Sequence, residues 1–380
     1  MLVHDLVEAM ERIAPRELAE EWDRVGLQVG SGAAQLAGPV LLTIDLTERV
    51  IEEAVAMGAG AVVSYHPPIF APLEAVTNAT PKERIILTAA RAGVAIYSPH
   101  TSLDATAGGV TDWLCEGLSG GEPGKIAGDC RALQPHPEGI DSPEVKIVTF
   151  VPERDIETVR NALASAGAGQ IGEYTLCSFN TKGTGTFLGS EKSNPVVGEA
   201  GRLESAAECR LEMVCPRRAL ALALQTLRRF HPYEEVPVDV YDLAPKPRRS
   251  IGAGRRLVLD QPVTVRELTE RLRTFLGTAR VQLGPAGNDD AIVRTLGVVP
   301  GAGESLAPLA ASEGCEAFIT GEMRHHQVLA AIHDGMHVLL AGHTNTERGY
   351  LPRLAGKLRD ELPGIETRIS EADDDPLRAM

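Results

Sequence analysis

The chain has 380 residues, 43% of them apolar, with a mean hydropathy of −0.05; that is long enough for more than one compact core and is the balance of a globular protein in water. Its formal net charge of −15 and pI near 5.2 argue against a protein that tracks nucleic-acid phosphates, a task that needs a concentrated basic face. Six cysteines, at 115, 130, 177, 209, 215 and 315, show no CxxC and no short even spacing, so neither a disulfide framework nor a thiolate zinc site is signalled, and they read as small hydrophobes.

At the start, MLVHDLVEAMERIAP carries acids inside its apolar pattern, unlike the uninterrupted apolar stretch of a signal peptide. No window approaches the roughly 18 uninterrupted apolar residues of a membrane span, so the expected location is the cytoplasm, away from membranes. GPVLLTIDL (38–46) then reads as a buried strand, TERVIEEAVAMG as an amphipathic helix closed by Gly58, and AGAVVSY as a second strand. This is a βαβ unit, which implies parallel strands and a right-handed crossover. The pattern continues through a helix at PKERIILTAARAG, the strand VAIYS and a helix at GGVTDWLCEGL. The last third repeats it: strand RTLGVVP, helix ESLAPLAASEG, strand AFIT, helix RHHQVLAAIHDG, strand HVLLAG and helix TERGYLPRLAGKLRDEL.

The middle differs. After a Gly/Pro-rich stretch come strand VKIVTFVP, helix RDIETVRNALASAG, the segment NTKGTGTFLGSEKSNPVVG, strand ECRLEMVCP, helix RALALALQTLRRF and HPYEEVPVDVYDL. This is the order of a ferredoxin-like split βαβ unit. The expected organisation is an α/β domain made of residues 1–125 and 251–380, interrupted by an inserted α+β domain at 126–250, entered near 125–143 and left near 245–252. Three serial domains are the weaker alternative, because neither flank alone offers enough strands for a covered parallel sheet. HPYEE (231–235) reads as a solvated loop, with projection of its charges into an oligomer cavity as the other reading. GAGRR (252–256) and GAG (301–303) read as glycine turns, neither of them a dinucleotide fingerprint, and SEADDDPLRAM as a solvated acidic end.

The two α/β flanks share a motif. Strand VAIYS runs into PHTSLDATAGG and strand HVLL into AGHTNTERGY, giving His100-Thr-x-x-Asp104 and His343-Thr-x-x-Glu347, each just past a strand. Turns at the carboxyl ends of parallel strands are where α/β sheets hold ligands, and four residues make about one helical turn, which aims both side chains the same way. In AVVSYHPPIF, His66 lies beyond another strand end, with Pro67 and Pro68 restricting the backbone. Three histidines and two carboxylates at strand ends suit an N/O site for one or two divalent ions. Taken singly, each His/acid pair is more readily a helix cap or a solvated surface pair.

With EEWDRVGLQVG, SYHPPIF, SPHTSLDAT, FITGEMRHH and AGHTNTERGYL together, nearly the whole chain resembles the dinuclear-metal proteins known as GTP cyclohydrolase 1 type 2 homologues, or Ngg-interacting-factor-three-like proteins. The resemblance implies a pseudo-repeated α/β metal-binding core, an inserted CutA- or PII-like domain, a homohexameric ring and two divalent ions per chain. It places metal ligands at His66, Asp104, His343 and Glu347, the last bridging both ions, and at Tyr65, where the family has the first histidine of a pair. His100 stands in the motif without being one of the family's usual ligands; it reads as a group that orients a ligand or moves a proton, with packing in the turn the equal alternative. Arg24 and Glu322 are smaller departures, from asparagine and aspartate. His325 and His326 read as cavity-wall or helix-capping residues.

Zinc, iron, manganese and nickel all suit such donors. Without a GxSxG elbow or a P-loop, the metal would be the catalyst. The first functional reading is a metal-dependent hydrolase of a nucleotide or phosphorylated small molecule, GTP ring opening being what the resemblance implies. The alternative is a non-catalytic metal-binding regulatory or metal-handling protein.

Overall fold

Threonine hydroxyls open three of the helices by accepting a backbone N–H: Thr47 from Val50, Thr80 from Glu83 and Thr264 from Glu267. Gly93 and Gly277 close two of them at φ of 70° and 62°, a conformation that costs glycine nothing. The computed structural model describes residues 1–136, 144–244 and 248–377, and the chain falls into two compact units, 1–136 with 248–380, and 137–247.

In the first unit, one sheet runs in the order Gly26–Val29, Ala95–Ser98, Ala61–Ser64, Val40–Thr43 and Thr367–Ile369. All neighbours are parallel except the first pair. A second sheet runs Gln282–Gly284, His337–Leu340, Ala317–Thr320, Ile292–Val298, Gly252–Thr264 and Gly128–Pro135. Its Ile292–Val298, Ala317–Thr320 and His337–Leu340 strands are parallel, with Gln282–Gly284 antiparallel at the edge. Each sheet therefore has the same core: an antiparallel edge, then the third, second and first parallel strands. The strands leading to His100 and to His343 occupy equivalent places.

The parallel strands are buried on both faces, as Val40–Thr43, Ala61–Ser64 and Ala317–Thr320 show residue by residue. Leu42, Val63 and Tyr97 of one sheet and Leu296, Ile319 and Leu339 of the other belong to a single core, with Leu6, Leu114, Leu268 and Leu354 from four helices. At about 1.5–3 kcal/mol for each large apolar side chain removed from water, this shared core holds the two sheets as one body. Smaller clusters cover the outer faces: helices Glu48–Ala56 and Pro81–Ala92 on the first sheet, Ala307–Ser312 and His325–His333 on the second.

Three sequence expectations change in this unit. Residues 128–135, read as part of the insertion, form a strand bonded along Gly252–Leu259. GAGRR is not a turn but the start of that 13-residue strand, and Arg255 within it is fully buried. Its guanidinium bonds the Asp112 carboxylate and the carbonyls of Gly252, Gly254, Ser250, Ala105 and Thr106, so a charge that seemed to need solvent is satisfied inside. The acidic end is likewise tied down. Thr367–Ile369 joins the first sheet, and buried Asp373 accepts the Ile44 N–H at 2.7 Å and pairs with Arg348 at 2.7 Å. The proposed linkers near 125–143 and 245–252 lie partly outside the described residues, as do residues 378–380.

The second unit carries an antiparallel sheet in the order Phe179–Leu188, Leu203–Pro216, Glu144–Pro152 and Val238–Asp242. Helices Ile156–Ser165 and Leu220–Phe230 pack on one face through Val159, Leu163, Ala223 and Leu227 against Ile147, Leu211 and Met213. HPYEE is not a freely solvated loop: His231 is buried, with Nε2 3.0 Å from the Phe150 carbonyl, and Tyr233 donates to Glu208 at 2.6 Å. No helix among the described residues is long and apolar enough to cross a membrane.

Candidate metal centre

The carboxyl ends of the parallel strands carry the site. Ladder bonding runs past Ser64, Tyr65 N–H reaching Thr43 O and His66 N–H reaching Ile44 O, which sets the two rings at the mouth of the first sheet. In the second sheet, the loop after Val298 must pass very close to the turn at 343. Gly301 has φ of 60°, and a Cβ there would lie 2.7 Å from Glu347 Oε1 and 3.1 Å from His343 Nε2, so the position accepts only glycine. Thr346 Oγ1 locks the turn, accepting Gly301 N–H at 2.8 Å and donating to the His343 carbonyl at 2.6 Å.

His66, His343 and Glu347 converge, with ligand-capable atoms within 4.8 Å of one another. Glu347 is only 2% exposed; Oε1 lies 3.4 Å from His343 Nε2, while Oε2 lies 3.5 Å from His66 Nε2 and accepts no hydrogen bond. A buried carboxylate oxygen left in this way is costly unless a cation or proton meets it. Both imidazoles are held from behind: His66 Nδ1 lies 2.9 Å from Asp45 Oδ1, and His343 Nδ1 lies 2.9 Å from Glu322 Oε1. Protonated at Nδ1 toward those carboxylates, each ring keeps an Nε2 lone pair for the centre, the arrangement usual behind metal-bound histidines. The residues present therefore fit a divalent cation.

The electrostatics agree. Burial opposes a charge on His66, but its bond to Asp45 and the facing Glu347 carboxylate outweigh this and push its pKa up to about 10. Burial raises Asp45 as well, yet the bond and charge of His66, with Arg348 and His343 nearby, hold it below the usual carboxylate range. The surroundings thus favour positive charge, which a metal ion supplies as well as a proton does.

The other expected residues lie beside this group without joining it. Tyr65, 2% exposed, donates to Asp104 Oδ1, and burial together with Asp104 and Glu347 holds its phenol far above an ordinary tyrosine. Burial likewise pushes Asp104 up to about 7, against the pull of Tyr65 and His100. His100 has φ of 32°, in the left-handed region that side chains seldom adopt, and its Nδ1 lies 2.8 Å from Asp23 Oδ1. Its ring centroid lies 5.4 Å from that of His66, and the His66 centroid lies 5.3 Å from that of His343, so the three histidines line one path. His325 and His326 are exposed at a helix start and take no part in the group.

Two residues escaped sequence reasoning. Asp45 lies in the run TIDL just past a strand, the same placement that marked His66, and that was the available signal. Asp23 sits in EEWDRVGLQVG, where nothing in the spacing pointed to His100; it is buried and also accepts Thr101 N–H and Oγ1–H.

Known proteins align with these features. The family model described as Duf34/NIF3 (NGG1p interacting factor 3) matches residues 1–376. The GTP cyclohydrolase 1 type 2 homolog of Bacillus subtilis is 32% identical over 375 residues, covering 98% of this chain and 97% of that protein. Rat NIF3-like protein 1 is 32% identical over 380 residues, covering 99% and 92%. Among solved structures, a Bacillus cereus protein related to NIF3 superposes with a TM-score of 0.68 at 30% identity, covering 100% of this chain and 99% of that one. Staphylococcus aureus SA1388 shares the fold, with a TM-score of 0.71 at 22% identity over 100% and 99% of the chains. Matched along almost its whole length by the family model and by relatives at about a third identity, the chain belongs to the Duf34/NIF3 family.

Proposed function

We propose that the chain is a metal-dependent hydrolase of a nucleotide or a related phosphorylated small molecule. The observation that carries this reading is the buried Glu347 carboxylate, whose Oε1 faces His343 Nε2 and whose Oε2, without a hydrogen bond, faces His66 Nε2. His66, His343 and Glu347 would hold the first ion, and Asp104, once released from Tyr65, would hold a second and weaker one. A bound divalent ion supplies Lewis-acid polarisation and lowers the pKa of a coordinated water. The chain's own contributions are distinct. Asp45 and Glu322 fix the histidine tautomers, and Gly301 keeps the approach to Glu347 open. His100, oriented through Nδ1 by Asp23, has its other ring nitrogen for carrying a proton. The nucleotide substrate is supported by the name of the Bacillus relative.

The same reading takes the 137–247 unit as an inserted ferredoxin-like domain of the CutA/PII type. In its support, the sheet runs second-third-first-fourth with both helices on one face, and the flanking segments together make the other unit. The test is a screen of zinc-, manganese- and iron-reconstituted protein against nucleotides and phosphoesters, beside His343→Ala. Metal-dependent turnover that the substitution abolishes is expected. Tight metal binding without turnover of any substrate would leave a metal-handling protein instead.

A further inference from the structure

Two aromatic side chains beside the candidate centre have no part in holding a cation. Trp22 lies in a tight turn, in which Asp23 N–H bonds the Glu20 carbonyl at 2.9 Å. The turn is anchored on both sides of the indole: Glu20 N–H donates to Thr101 Oγ1 at 3.0 Å, and buried Asp23 holds both Thr101 and His100 Nδ1. Phe70 follows the His66-Pro67-Pro68 turn beyond another strand end. Gln28 ties the two segments together, donating to the Arg24 carbonyl at 2.6 Å and accepting Ile69 N–H at 2.9 Å. The two rings meet as a result, with centroids 5.8 Å apart and planes tilted by 53°.

The pair continues the row of histidines. The Trp22 centroid lies 5.9 Å from that of His100, edge-on at 75°, and His100 lies 5.4 Å from His66. Contact with Phe70 and His100 still leaves Trp22 54% exposed, and Phe70 is 48% exposed. Single exposed apolar residues are ordinary, but adjoining aromatics braced from behind, next to a candidate centre, form a recognition surface. An indole face is what flat heteroaromatic rings stack on, in a manner that tolerates the identity of the base. Gln28 and Asp23, the polar groups closest in sequence to this wall, are spent on bracing it. Discrimination by the wall is therefore by ring area, purine above pyrimidine and both above no ring.

We propose that Trp22, with Phe70 beside it, is the base-binding wall of the centre: the heteroaromatic ring of a nucleotide stacks on the exposed indole, and the phosphate end lies toward His66 and His343. The proposal rests on the nucleotide reading given above and adds the residue that selects the substrate class. The base and phosphate of a nucleotide stand at opposite ends of one ribose, and two ring-to-ring steps, of 5.4 and 5.9 Å, link His66 to Trp22.

Titration of the zinc-reconstituted full chain with GMP, UMP and ribose 5-phosphate tests this, since the three share a phosphorylated ribose and differ in the ring. Calorimetry should show GMP bound at least about tenfold more tightly than ribose 5-phosphate, with UMP between them. GMP should also quench tryptophan fluorescence, and the quench should vanish in Trp22→Phe, because the other tryptophan, Trp113, is buried. Trp22→Ala should weaken GMP about tenfold while leaving ribose 5-phosphate and zinc affinities unchanged, and Trp22→Phe, which keeps a smaller ring, should recover most of that loss. Equal affinity for GMP and ribose 5-phosphate in the parent protein would overturn the wall and leave a hydrolase of phosphorylated small molecules standing. Ring-dependent GMP binding without turnover would do the reverse. No binding of any of the three would overturn the wall together with the nucleotide reading. Unaltered GMP affinity in a folded Trp22→Ala would overturn the wall alone, and a loss of oligomeric mass in that variant would make the two aromatics a contact between copies of the chain instead. Should Trp22→Ala fail to fold, GMP binding without a quench in the parent protein would overturn the proposal.

Discussion

The two sheets of the first unit carry the same strand order and the same His-Thr-x-x-acid motif, yet the two motifs end in different states. In the second sheet, His343 and Glu347 turn toward one point, and Glu347 Oε2 is left without a hydrogen bond. In the first, Asp104 takes the Tyr65 hydroxyl and His100 takes Asp23. The motif is the same; the neighbour on the adjoining strand is not. Beyond the middle strand of the first sheet stand Tyr65 and His66, whereas the equivalent turn of the second sheet has Gly321 and Glu322, of which only Glu322 reaches a histidine, from behind. A repeated motif thus supplies repeated geometry, and the adjacent strand decides whether the geometry becomes a ligand.

The bracing differs too. The His343 turn is held by the Thr346 and Thr320 hydroxyls around Gly301, while the helix bearing Asp104 ends on the guanidinium of Arg255 through the Ala105 and Thr106 carbonyls. The largest expected effect follows from this contrast. Arg255→Leu strands the Asp112 carboxylate and several buried carbonyls, and it should cost about 3–5 kcal/mol in denaturant unfolding. A loss below about 1 kcal/mol would mean that the first motif needs no internal brace.

Next comes the asymmetry of the acids. Glu347→Gln should weaken zinc binding more than about 100-fold, beyond what loss of an outer partner costs, whereas Asp104→Asn should leave the tighter ion nearly unchanged. Competition against a fluorescent chelator measures both, and equal losses would erase the distinction between the two halves.

The smallest effect sharpens it. Tyr65→His removes the phenol that caps Asp104 and adds an imidazole, so the first half should begin to supply ligands and metal content should rise from one firmly held ion per chain to two. Unchanged stoichiometry after reconstitution and desalting would show that Tyr65 does not keep the second position weak.

Local patterns carried much of this into the sequence. The βαβ alternation of both flanks was legible because buried parallel strands are continuous apolar runs and their helices carry threonine caps and glycine stops, signals that need only a few neighbouring residues. His66, His343 and Glu347 were legible because strand ends in such sheets face a common edge, and their convergence as a group follows from the two sheets sharing one core. Other features depended on residues far apart in the chain. Glycine-rich GAGRR looks like a turn until the strand 128–135 and Asp112 arrive to pair it and neutralise Arg255. The acidic tail looks solvated until Ile44 and Arg348 meet Asp373. Asp45 and Asp23 gain their roles only from the histidines 21 and 77 residues away. The sequence by itself determined the elements and the donor types, since propensity, capping and side-chain chemistry are properties of short segments. Only the tertiary structure decided which donor meets which partner, because burial and hydrogen-bond satisfaction are settled between strands that the chain brings together over long distances.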